Sequence, residues 1–424
     1  MKAICILLQN QYDMDIRVRR KAEALVAAGY AVDVLALRGE SKNLRCYQLN
    51  GVQVHTIALG KRRGSLYRYI FEYLVFLVWA AMKLERLYRQ TPYAVVDVNN
   101  LPDFLVFAAL PAKRKGARVV FDMHEITPEF FMSKYRARPE SRLVQLARLI
   151  ERASVNFAHH VITINQPILQ LLIERGYPDS KLSVIMNCAD EELFREPAAG
   201  WTEPVASTGK TGFIFMYHGT LTQIYGLDIA IEAFAQARKQ MPNAEFWILG
   251  NGPESEALRE KARRLGVEAE VRFLGSVIPS EIPTWLHHCD VGVLATRQDI
   301  FLELSFSNKL SEYVIMNKPV IASRLRTIRH YFSDQAIAFF KPECSQELEV
   351  QMIRLYRDAK VRSELAYQAR QEYKPIRWPI MRSRYLSLME RLTTLDTEEE
   401  IADQTPPDTH PVCATPGPEG TTAS

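Results

Sequence analysis

Short apolar runs alternate with helical patterns along almost the whole chain. Unbroken apolar runs are typical of strands buried on both faces, whereas apolar residues that recur every three or four positions are typical of one helix face. These runs predict strands at 3–8, 31–37, 52–57, 94–98, 118–121 and 160–164, and then at 212–217, 245–249, 271–274, 291–294, 320–322 and 336–340. The alternation predicts an α/β fold with two Rossmann-like, doubly wound parallel-sheet domains that face a central cleft.

The pattern is interrupted at two places, which divide the chain. Residues 196–210 are rich in Pro, Gly, Ser and Thr and show no period, so they predict a linker between a first domain at 1–195 and a second at 211–372. A helical segment at 373–395 precedes residues 396–424, which are acidic at first and then rich in Pro, Thr and Gly. That composition predicts a disordered tail.

The most apolar stretch is YIFEYLVFLVWAAM at 69–82. It contains Glu72 and is shorter than the roughly 20 residues that cross a bilayer, so no membrane span is expected. Basic residues flank it on both sides: Lys61, Arg62, Arg63 and Arg68 before it, and Lys83, Arg86 and Arg89 after it. Two interpretations stay open: a helix buried against the sheet, or a segment at 61–89 that docks on an anionic membrane surface.

Composition narrows the class of protein. The chain has 424 residues, of which 47% are hydrophobic and 24% charged, and its net charge of +4 does not suggest nucleic acid as a partner. Its six cysteines are scattered without a Cys-X-X-Cys pair, so neither a zinc site nor a disulfide framework is expected. The N-terminal MKAICILLQN lacks a cleavage site and is interpreted as a buried strand. These features predict a cytoplasmic protein, with peripheral contact to the inner face of the cell membrane left open.

Candidate chemistry is concentrated at 306–323, FSNKLSEYVIMNKPVIAS. Ser307 or Asn308 is a suitable N-cap for a helix over 309–316 that ends before Pro319. The free amides of such a helix start, with Lys309 beside them, form an anion site suited to a diphosphate. Glu312 shares that helix face, where its carboxylate can accept hydrogen bonds from ribose hydroxyls.

This stretch resembles the donor-binding signature of the GT-B glycosyltransferases, specifically the retaining family numbered four. In that family one Glu contacts the donor sugar and a second, eight residues later, binds the ribose; Glu312 matches the second. The position of the first is Leu304, and the nearby Glu303 is one residue out of register. Either a loop shift lets Glu303 substitute, or the chain belongs to a branch with Lys309 and no first Glu; the second alternative is favoured.

Two glycine motifs extend the resemblance into the second half. MYHGTLTQIYGLD at 216–228 resembles the family's first glycine loop, although Thr220 and Tyr225 replace the usual Arg and Lys. WILGNGPESEAL at 247–258 resembles the strand and turn beside the nucleobase; it lacks the final Gly of a dinucleotide fingerprint, so NAD is not expected. The resemblance implies donor contacts from Gly219, Thr220, Gly250, Asn251, Ser307, Asn308, Lys309, Leu310 and Glu312.

The first half carries the acceptor side of the resemblance. Residues 15–37 are similar to the family's first loop and helix, in which Asp15 caps the helix and Arg17 is either solvated or holds an anionic group. FDMHEITPEF at 121–130 resembles the family's D-x-H-E signature, which places His124 against a sugar hydroxyl or the reacting centre. Glu125 binds acceptor or orients His124, and Asn100 lines the acceptor pocket or belongs to a turn.

Together these motifs imply a hexosyltransferase-type enzyme with His124, Lys309 and Glu312 at its centre. It would transfer a sugar with retention from a UDP- or GDP-sugar to a hydroxyl of a saccharide or lipid-linked acceptor, without a metal, in cell-envelope or exopolysaccharide biosynthesis. The final helix, RWPIMRSRYLSLMERL, resembles the family's crossing back to the first domain. The alternatives are a catalytically inactive partner subunit that binds nucleotide sugar, and a nucleotide-sugar 2-epimerase of the same fold.

Overall fold

The computed structural model describes residues 2–39, 44–59, 66–189, 191–194 and 212–394. The predicted linker at 196–210, the predicted tail at 396–424 and the basic residues at 61–63 lie outside the described residues.

The first domain is built on an eight-stranded sheet with the strand order β3-β4-β2-β1-β5-β6-β7-β8. Its strands are β1 (Ala3–Gln11), β2 (Ala31–Leu37), β3 (Cys46–Leu49), β4 (Val52–Ile57), β5 (Tyr93–Asn99), β6 (Arg118–Met123), β7 (His160–Thr163) and β8 (Leu182–Val184). All neighbouring strands are parallel except β3, which runs antiparallel to β4. Sequence did not predict β3, because this short edge strand is exposed or half-buried throughout and contains no apolar run.

Six helices surround this sheet. They are α1 (Ile16–Ala27), α2 (Leu66–Tyr88), α3 (Leu110–Lys113), α4 (Thr127–Tyr135), α5 (Arg142–Phe157) and α6 (Gln166–Glu174). The apolar stretch at 69–82 therefore lies inside α2, a helix of 23 residues. Within the described residues, no helix has both the length and the apolarity that a bilayer span requires.

The second domain has a six-stranded, fully parallel sheet with the strand order β11-β10-β9-β12-β13-β14. Its strands are β9 (Phe213–His218), β10 (Ala244–Leu249), β11 (Val271–Gly275), β12 (Val291–Leu294), β13 (Val320–Ser323) and β14 (Ala338–Phe340). Its helices are α7 (Leu227–Ala237), α8 (Ser255–Arg264), α9 (Ile282–His288), α10 (Asn308–Ile315), α11 (Arg326–Tyr331), α12 (Ser345–Arg357) and α13 (Ala359–Tyr373). Every strand predicted from the apolar runs is present, with ends that shift by at most three residues.

The last helix, α14 (Trp378–Thr394), packs on the first domain rather than the second. The Tyr385 hydroxyl donates a hydrogen bond to the Asp97 carboxylate of β5 over 2.8 Å. The Arg20 guanidinium of α1 lies 4.9 Å from the centre of the Trp378 ring. The chain thus returns to its first domain after completing its second.

The backbones that follow β9 and β10 are in close contact at Gly219 and Gly250. Gly250 follows β10 with a φ of +139°, and a Cβ at this position would overlap the carbonyl oxygen of Gly219. An L-residue is also strained at positive φ. Only glycine at position 250 lets the loops after β9 and β10 approach this closely.

Replacing Gly250 with Ala should therefore destabilise the second domain. We expect G250A to lower the free energy of unfolding by about 2 kcal/mol or more, because backbone overlap adds to the roughly 1–2 kcal/mol cost of positive φ. Denaturant unfolding measures this difference. The control is G266A, at a φ of +67° with open space around the added Cβ. Equal losses in the two variants would contradict the overlap argument.

Candidate functional site

The carboxyl ends of three neighbouring strands form a floor that lacks side chains. Gly219 follows β9 with a φ of +127°, Gly250 follows β10, and Gly275 ends β11. The Gly219 N–H donates to the Leu249 carbonyl over 2.8 Å, and the Gly250 N–H donates to the Gly275 carbonyl over 2.7 Å. Because ligands bind at the carboxyl ends of parallel strands, this glycine floor is the expected place for close backbone approach.

The side chain of Lys309 lies across this floor. A Cβ on Gly219 would overlap the Lys309 Cε, so the glycine makes room for the lysine. The Lys309 ammonium lies 4.1 Å from the centre of the Tyr225 ring and 5.6 Å from that of Tyr217. Among the described residues it has no carboxylate partner within ion-pair distance. Lys309 is therefore a cation held on aromatic faces without a counter-ion, an arrangement suited to an incoming anion.

The start of α10 adds backbone donors beside Lys309. Ser307 occupies the N-cap position, although its side chain makes no capping hydrogen bond, and the helix begins at Asn308. The Leu310 N–H donates to the Ser307 carbonyl over 3.0 Å, and the Leu310 side chain is buried. The amides of Asn308 and Lys309 precede that of Leu310, which is the first to donate to a carbonyl at this helix start, so they point out of the helix end.

Glu312 is bound to a histidine that sequence reasoning missed. Its Oε2 lies 2.5 Å from Nε2 of His218, while Nδ1 of His218 lies 3.1 Å from the Tyr313 hydroxyl. That hydroxyl donates its only proton to the Met216 carbonyl over 2.8 Å, so Nδ1 must donate to the tyrosine oxygen. A second proton must then lie between Nε2 and the carboxylate. The available signal was position: His218 immediately precedes Gly219 in the quoted glycine motif.

Glu312 remains partly open to solvent. Its side chain is 18% exposed, whereas that of His218 is 4% exposed. One carboxylate oxygen is thus held by buried histidine, while the side chain as a whole keeps some exposure to solvent. The predicted pairing of Lys309 and Glu312 on one helix start is present in the structure.

Thr220 and Asn251 lie at the exposed rim of the floor. The Thr220 carbonyl accepts a hydrogen bond from the Tyr217 hydroxyl over 2.9 Å. The side-chain amide of Asn251 donates to the Ser276 hydroxyl over 3.0 Å. The backbone carbonyl of Asn251 accepts from the Leu221 N–H over 3.1 Å. Each residue directly follows a glycine of the floor in the chain, Thr220 after Gly219 and Asn251 after Gly250.

The position of the family's first Glu has an apolar role here. Leu304 is 6% exposed and packs into the core of the first domain, and its carbonyl accepts a hydrogen bond from the Asn165 amide over 2.7 Å. The neighbouring Glu303 carboxylate accepts from the Gln298 amide and the Arg326 N–H, each over 2.5 Å. Glu303 is therefore engaged within its own domain, which favours the branch without a first Glu over a loop shift.

In the first domain, His124 has a defined tautomer. Its Nε2 lies 2.8 Å from Oδ1 of Asn99, and the Lys21 ammonium donates to the same oxygen over 3.2 Å. The Asn99 amide nitrogen donates to the Leu7 carbonyl, which fixes the orientation of that side chain. His124 Nε2 consequently carries the hydrogen, and Nδ1 keeps a lone pair that has no partner among the described residues.

His124 is also uncharged at neutral pH. Burial lowers the pKa of His124 well below its ordinary value, and the positive charges of Arg17 and Lys21 lower it further. A neutral imidazole with a free Nδ1 can accept a hydrogen bond from a hydroxyl group. It cannot serve as a second cation.

A buried charge cluster beneath His124 was not predicted. Lys21 of α1 forms an ion pair with Asp122, and its ammonium lies 3.9 Å from the Asp97 carboxylate. Burial lowers the pKa of Lys21, and the nearby Asp97 carboxylate partly opposes this effect. Because Tyr385 of α14 donates to Asp97, the cluster ties the last helix to the strand ends that carry His124.

Asn100 braces the loop that carries His124 and Glu125. Its Oδ1 accepts from the backbone N–H of His124 over 2.8 Å and from that of Glu125 over 3.3 Å. Its Nδ2 donates to the Asp103 carboxylate over 2.9 Å and to the Glu125 carbonyl over 2.6 Å. The amide is fully used inside the protein, so of the two alternatives the structure favours the turn over the acceptor pocket.

Asp15, Arg17 and Glu125 complete this side of the site. The Asp15 carboxylate accepts from the Val18 N–H as the helix cap and from the Arg17 guanidinium over 3.0 and 3.2 Å. Although burial alone would raise the pKa of Asp15, the hydrogen bonds and charge of Arg17 hold it below its ordinary value. Burial raises the pKa of Glu125, while Arg17 and Lys134 act in the opposite direction. Arg17 also borders a small cleft with Lys21 and His124.

The two groups of residues remain separate in this structure. No hydrogen bond or ion pair joins His124 to Lys309 or Glu312. The domains themselves are in contact, since the Ser133 hydroxyl donates to the Asp299 carboxylate over 2.7 Å and the Gln166 N–H donates to the Tyr331 hydroxyl over 2.8 Å. Within the described part of the chain, no group of three or more His, Cys, Asp or Glu side chains is placed to hold a metal ion.

Solved structures share this two-domain architecture. Sucrose-phosphate synthase from Thermosynechococcus elongatus aligns with a TM-score of 0.72 at 16% identity, covering 92% of this chain and 99% of that one. HepE of Anabaena in complex with UDP aligns with a TM-score of 0.70 at 16% identity, covering 92% and 100%. WaaG, a glycosyltransferase involved in lipopolysaccharide biosynthesis, aligns with a TM-score of 0.64 at 13% identity, covering 92% and 100%. At these identities the likeness shows the GT-B fold.

Sequence comparisons add the family. The 2-deoxystreptamine N-acetyl-D-glucosaminyltransferase of Niallia circulans is 18% identical over 178 residues, which are 41% of this chain and 44% of that enzyme, so the match spans less than half of the relative's length. Residues 14–188 match the model of the glycosyl transferase 4-like domain, and residues 212–358 match that of the glycosyl transferases group 1. The chain therefore belongs to the group 1 glycosyltransferases of the GT-B fold.

Proposed function

We propose that this glycosyltransferase moves a sugar from a nucleotide diphosphate sugar, with UDP or GDP as the nucleotide, to a hydroxyl of a saccharide or lipid-linked acceptor. The observation that carries the proposal is the arrangement at α10. An ammonium without a counter-ion and a carboxylate anchored on one side lie at one helix start, above a floor of glycines. That HepE was solved with UDP supports a nucleotide donor.

The donor contacts follow from the chemistry of each group. Lys309 and the outward amides of α10 bind the diphosphate, because a cation and a helix N-terminus both favour anions. The Glu312 carboxylate accepts hydrogen bonds from the ribose hydroxyls, while His218 holds its other oxygen in place. Gly250 and Asn251 border the nucleobase.

The same contacts account for catalysis without a required metal. As the sugar–phosphate bond breaks, negative charge develops on the leaving diphosphate, and Lys309 with the α10 amides stabilises it. Transfer proceeds with retention by displacement on the face from which the diphosphate leaves, and the leaving phosphate takes the acceptor's proton. Neutral His124 accepts a hydrogen bond from a sugar hydroxyl at Nδ1, which is buried and has no partner among the described residues. Arg17, which borders the same cleft as His124, contacts the acceptor together with Glu125.

Two alternatives make different predictions for donor alone. An inactive partner subunit would bind nucleotide sugar without slow hydrolysis, and a 2-epimerase would convert it to an epimer. The first alternative arises because Thr220 and Tyr225 stand where the family usually has Arg and Lys. The Tyr225 ring, however, contacts the Lys309 ammonium and stabilises that cation through a cation–π interaction. The transferase is accordingly the function proposed.

We also propose that the enzyme works at the inner face of the cell membrane. One face of α2 is packed in the first domain, and the opposite face exposes apolar side chains along the helix: Ile70, Phe71, Leu74, Val78 and Met82. Phe71 is 65% exposed and Met82 is 62% exposed. The exposed Arg68 lies on α2 and the exposed Arg89 follows its last residue, and each also pairs with a glutamate one turn away, Glu72 and Glu85. An apolar stripe with basic residues at both ends matches an apolar layer beneath anionic headgroups. WaaG, a structural neighbour, acts in lipopolysaccharide biosynthesis, which supports an envelope setting.

Loss of the donor cation should cost turnover more than binding. We expect Lys309→Ala to lower kcat by about 100-fold or more, because one preorganised charge contact to the leaving group is lost. Glu312→Ala should mainly raise KM for the donor. Steady-state kinetics with a donor panel measure both, and the exposed Lys239→Ala on the same domain is the charge-matched control. Wild-type kinetics for Lys309→Ala and Glu312→Ala would refute the donor site.

His218 should act through Glu312. We expect His218→Phe to weaken UDP or GDP binding about tenfold and to change kcat less, because the hydrogen bond that anchors the carboxylate is lost while a ring remains against Tyr313. Calorimetric titration measures the affinity. His218→Gln should restore part of it, since its amide can donate to Glu312. Unchanged nucleotide affinity in His218→Phe would limit His218 to a packing role.

The membrane proposal predicts vesicle binding that depends on α2. The triple variant Phe71→Ser, Val78→Ser, Met82→Ser should reduce co-sedimentation with phosphatidylglycerol vesicles at least tenfold, with soluble-donor hydrolysis unchanged. The control pair, Ile278→Ser with Val350→Ser, removes exposed apolar side chains from the second domain. Equal sedimentation of the triple variant and wild type, or no sedimentation of either, would refute membrane contact.

A further inference from the structure

A second cavity lies between the domains and is bordered by the loop that leads to α10. It has a volume of about 410 Å³ and is lined by the first turns of α6 and by the segments that follow β12 and β13. The first domain contributes Gln170 to the lining, and the second contributes Arg324, Arg326, Arg329 and His330. This volume is within the range of small-molecule sites.

The positive charge of the cavity comes from Arg326 and Arg329. Arg324 is balanced by Asp334, whose carboxylate accepts its hydrogen bond over 2.9 Å. Arg326 and Arg329 are three residues apart on α11, so they share a face, and neither guanidinium has an acidic partner among the described residues. The single carboxylate in the lining, Glu303, is already bound by Gln298 and by a backbone amide.

His330 does not add to this charge. Burial lowers the pKa of His330, and the positive charge of Arg326 lowers it further, so the ring is neutral near pH 7. It is available as a hydrogen-bond partner beside the two guanidiniums. Arg326 and His330 are four residues apart on α11, so they lie on the same side of that helix.

The donors in this cavity match a phosphate better than a carboxylate. Each guanidinium presents a planar fork that pairs with two oxygens of an anion. Two forks, together with the Gln170 amide, supply more donors than a carboxylate with two oxygens can use, whereas a phosphate group offers three or four. Both domains line the cavity, and the loop that contributes Gln298 and Glu303 to it leads on to α10, where the proposed donor site lies.

We propose that this interdomain cavity binds a phosphate group of the acceptor, a proposal that rests on the transferase function proposed above. The acceptor is then a phosphorylated saccharide or a sugar linked through diphosphate to a lipid. Arg326 and Arg329 hold the phosphate, and Gln170 contributes from the first domain. This site would select acceptors that carry a phosphate group, whereas Lys309 binds the donor.

Inorganic pyrophosphate tests the cavity directly. In calorimetric titration of protein saturated with UDP, which occupies the donor site, we expect wild type to bind one pyrophosphate. The double variant Arg326→Gln, Arg329→Gln should bind it at least tenfold more weakly and should bind UDP as wild type does. The control pair Arg354→Gln, Arg357→Gln removes two exposed arginines with the same spacing on α12 and should bind like wild type.

Absence of pyrophosphate binding to the UDP-saturated wild type, or equal binding by the double variant, would overturn the proposal. If the protein does not bind UDP, GDP takes its place in the same titrations, because the proposed donor nucleotide is either one. If it binds neither, the donor assignment fails independently, and the same comparison is made in a Lys309→Ala background. Competitors then identify the source of the phosphate. Displacement of pyrophosphate by glucose 1-phosphate indicates a soluble acceptor, displacement by vesicles containing polyisoprenyl phosphate indicates a lipid-linked one, and displacement by neither overturns the acceptor role.

Discussion

The donor site depends on one close approach: the Lys309 side chain crosses the backbone at Gly219. Any side chain at position 219 would occupy the space of the lysine, and any side chain at 250 would separate the two strand ends that form the floor. The ammonium then lies on the rings of Tyr217 and Tyr225, which stabilise a cation without neutralising it. Within the described part of the chain, the fold thus keeps a positive charge without a carboxylate partner at the place where a diphosphate would add two negative charges.

Glu312 solves the opposite problem, since a carboxylate close to a phosphate site repels the ligand unless its charge is offset. The proton shared with His218 offsets that charge, and the Tyr313 hydroxyl with the Met216 carbonyl fixes the ring. A hydrogen-bond chain of this kind starts at the β9 backbone and ends at the carboxylate oxygen that His218 holds, which leaves the other oxygen for the ligand. It binds α10 to the central strand of the sheet, so the position of the carboxylate and the register of the sheet are set together.

Most of the strands and helices could be predicted from local sequence patterns. Parallel strands buried on both faces are apolar along their whole length, and helices show apolar residues every three or four positions. The α10 start was also predictable, since a polar cap, a lysine and a glutamate follow one another at helical spacing. What sequence could not provide were contacts between distant segments. Nothing local to Asp97, Asp122 or Lys21 indicates that the three meet below His124, and nothing near Leu304 shows that it packs in the other domain. The amide of Asn100 looked like a ligand group because three of its four hydrogen bonds go to backbone atoms of His124 and Glu125, in a distant segment.

The loop between β12 and α10 is where these long-range contacts decide function. Leu304 and Asp299 attach it to the first domain, Glu303 faces the arginine cavity, and five residues after Glu303 the donor helix begins. An anion in the cavity and an anion at Lys309 would therefore both lie next to one segment that already touches both domains. Two ligands that favour the same placement of that segment would strengthen each other's binding, so donor and acceptor affinity would be coupled through it.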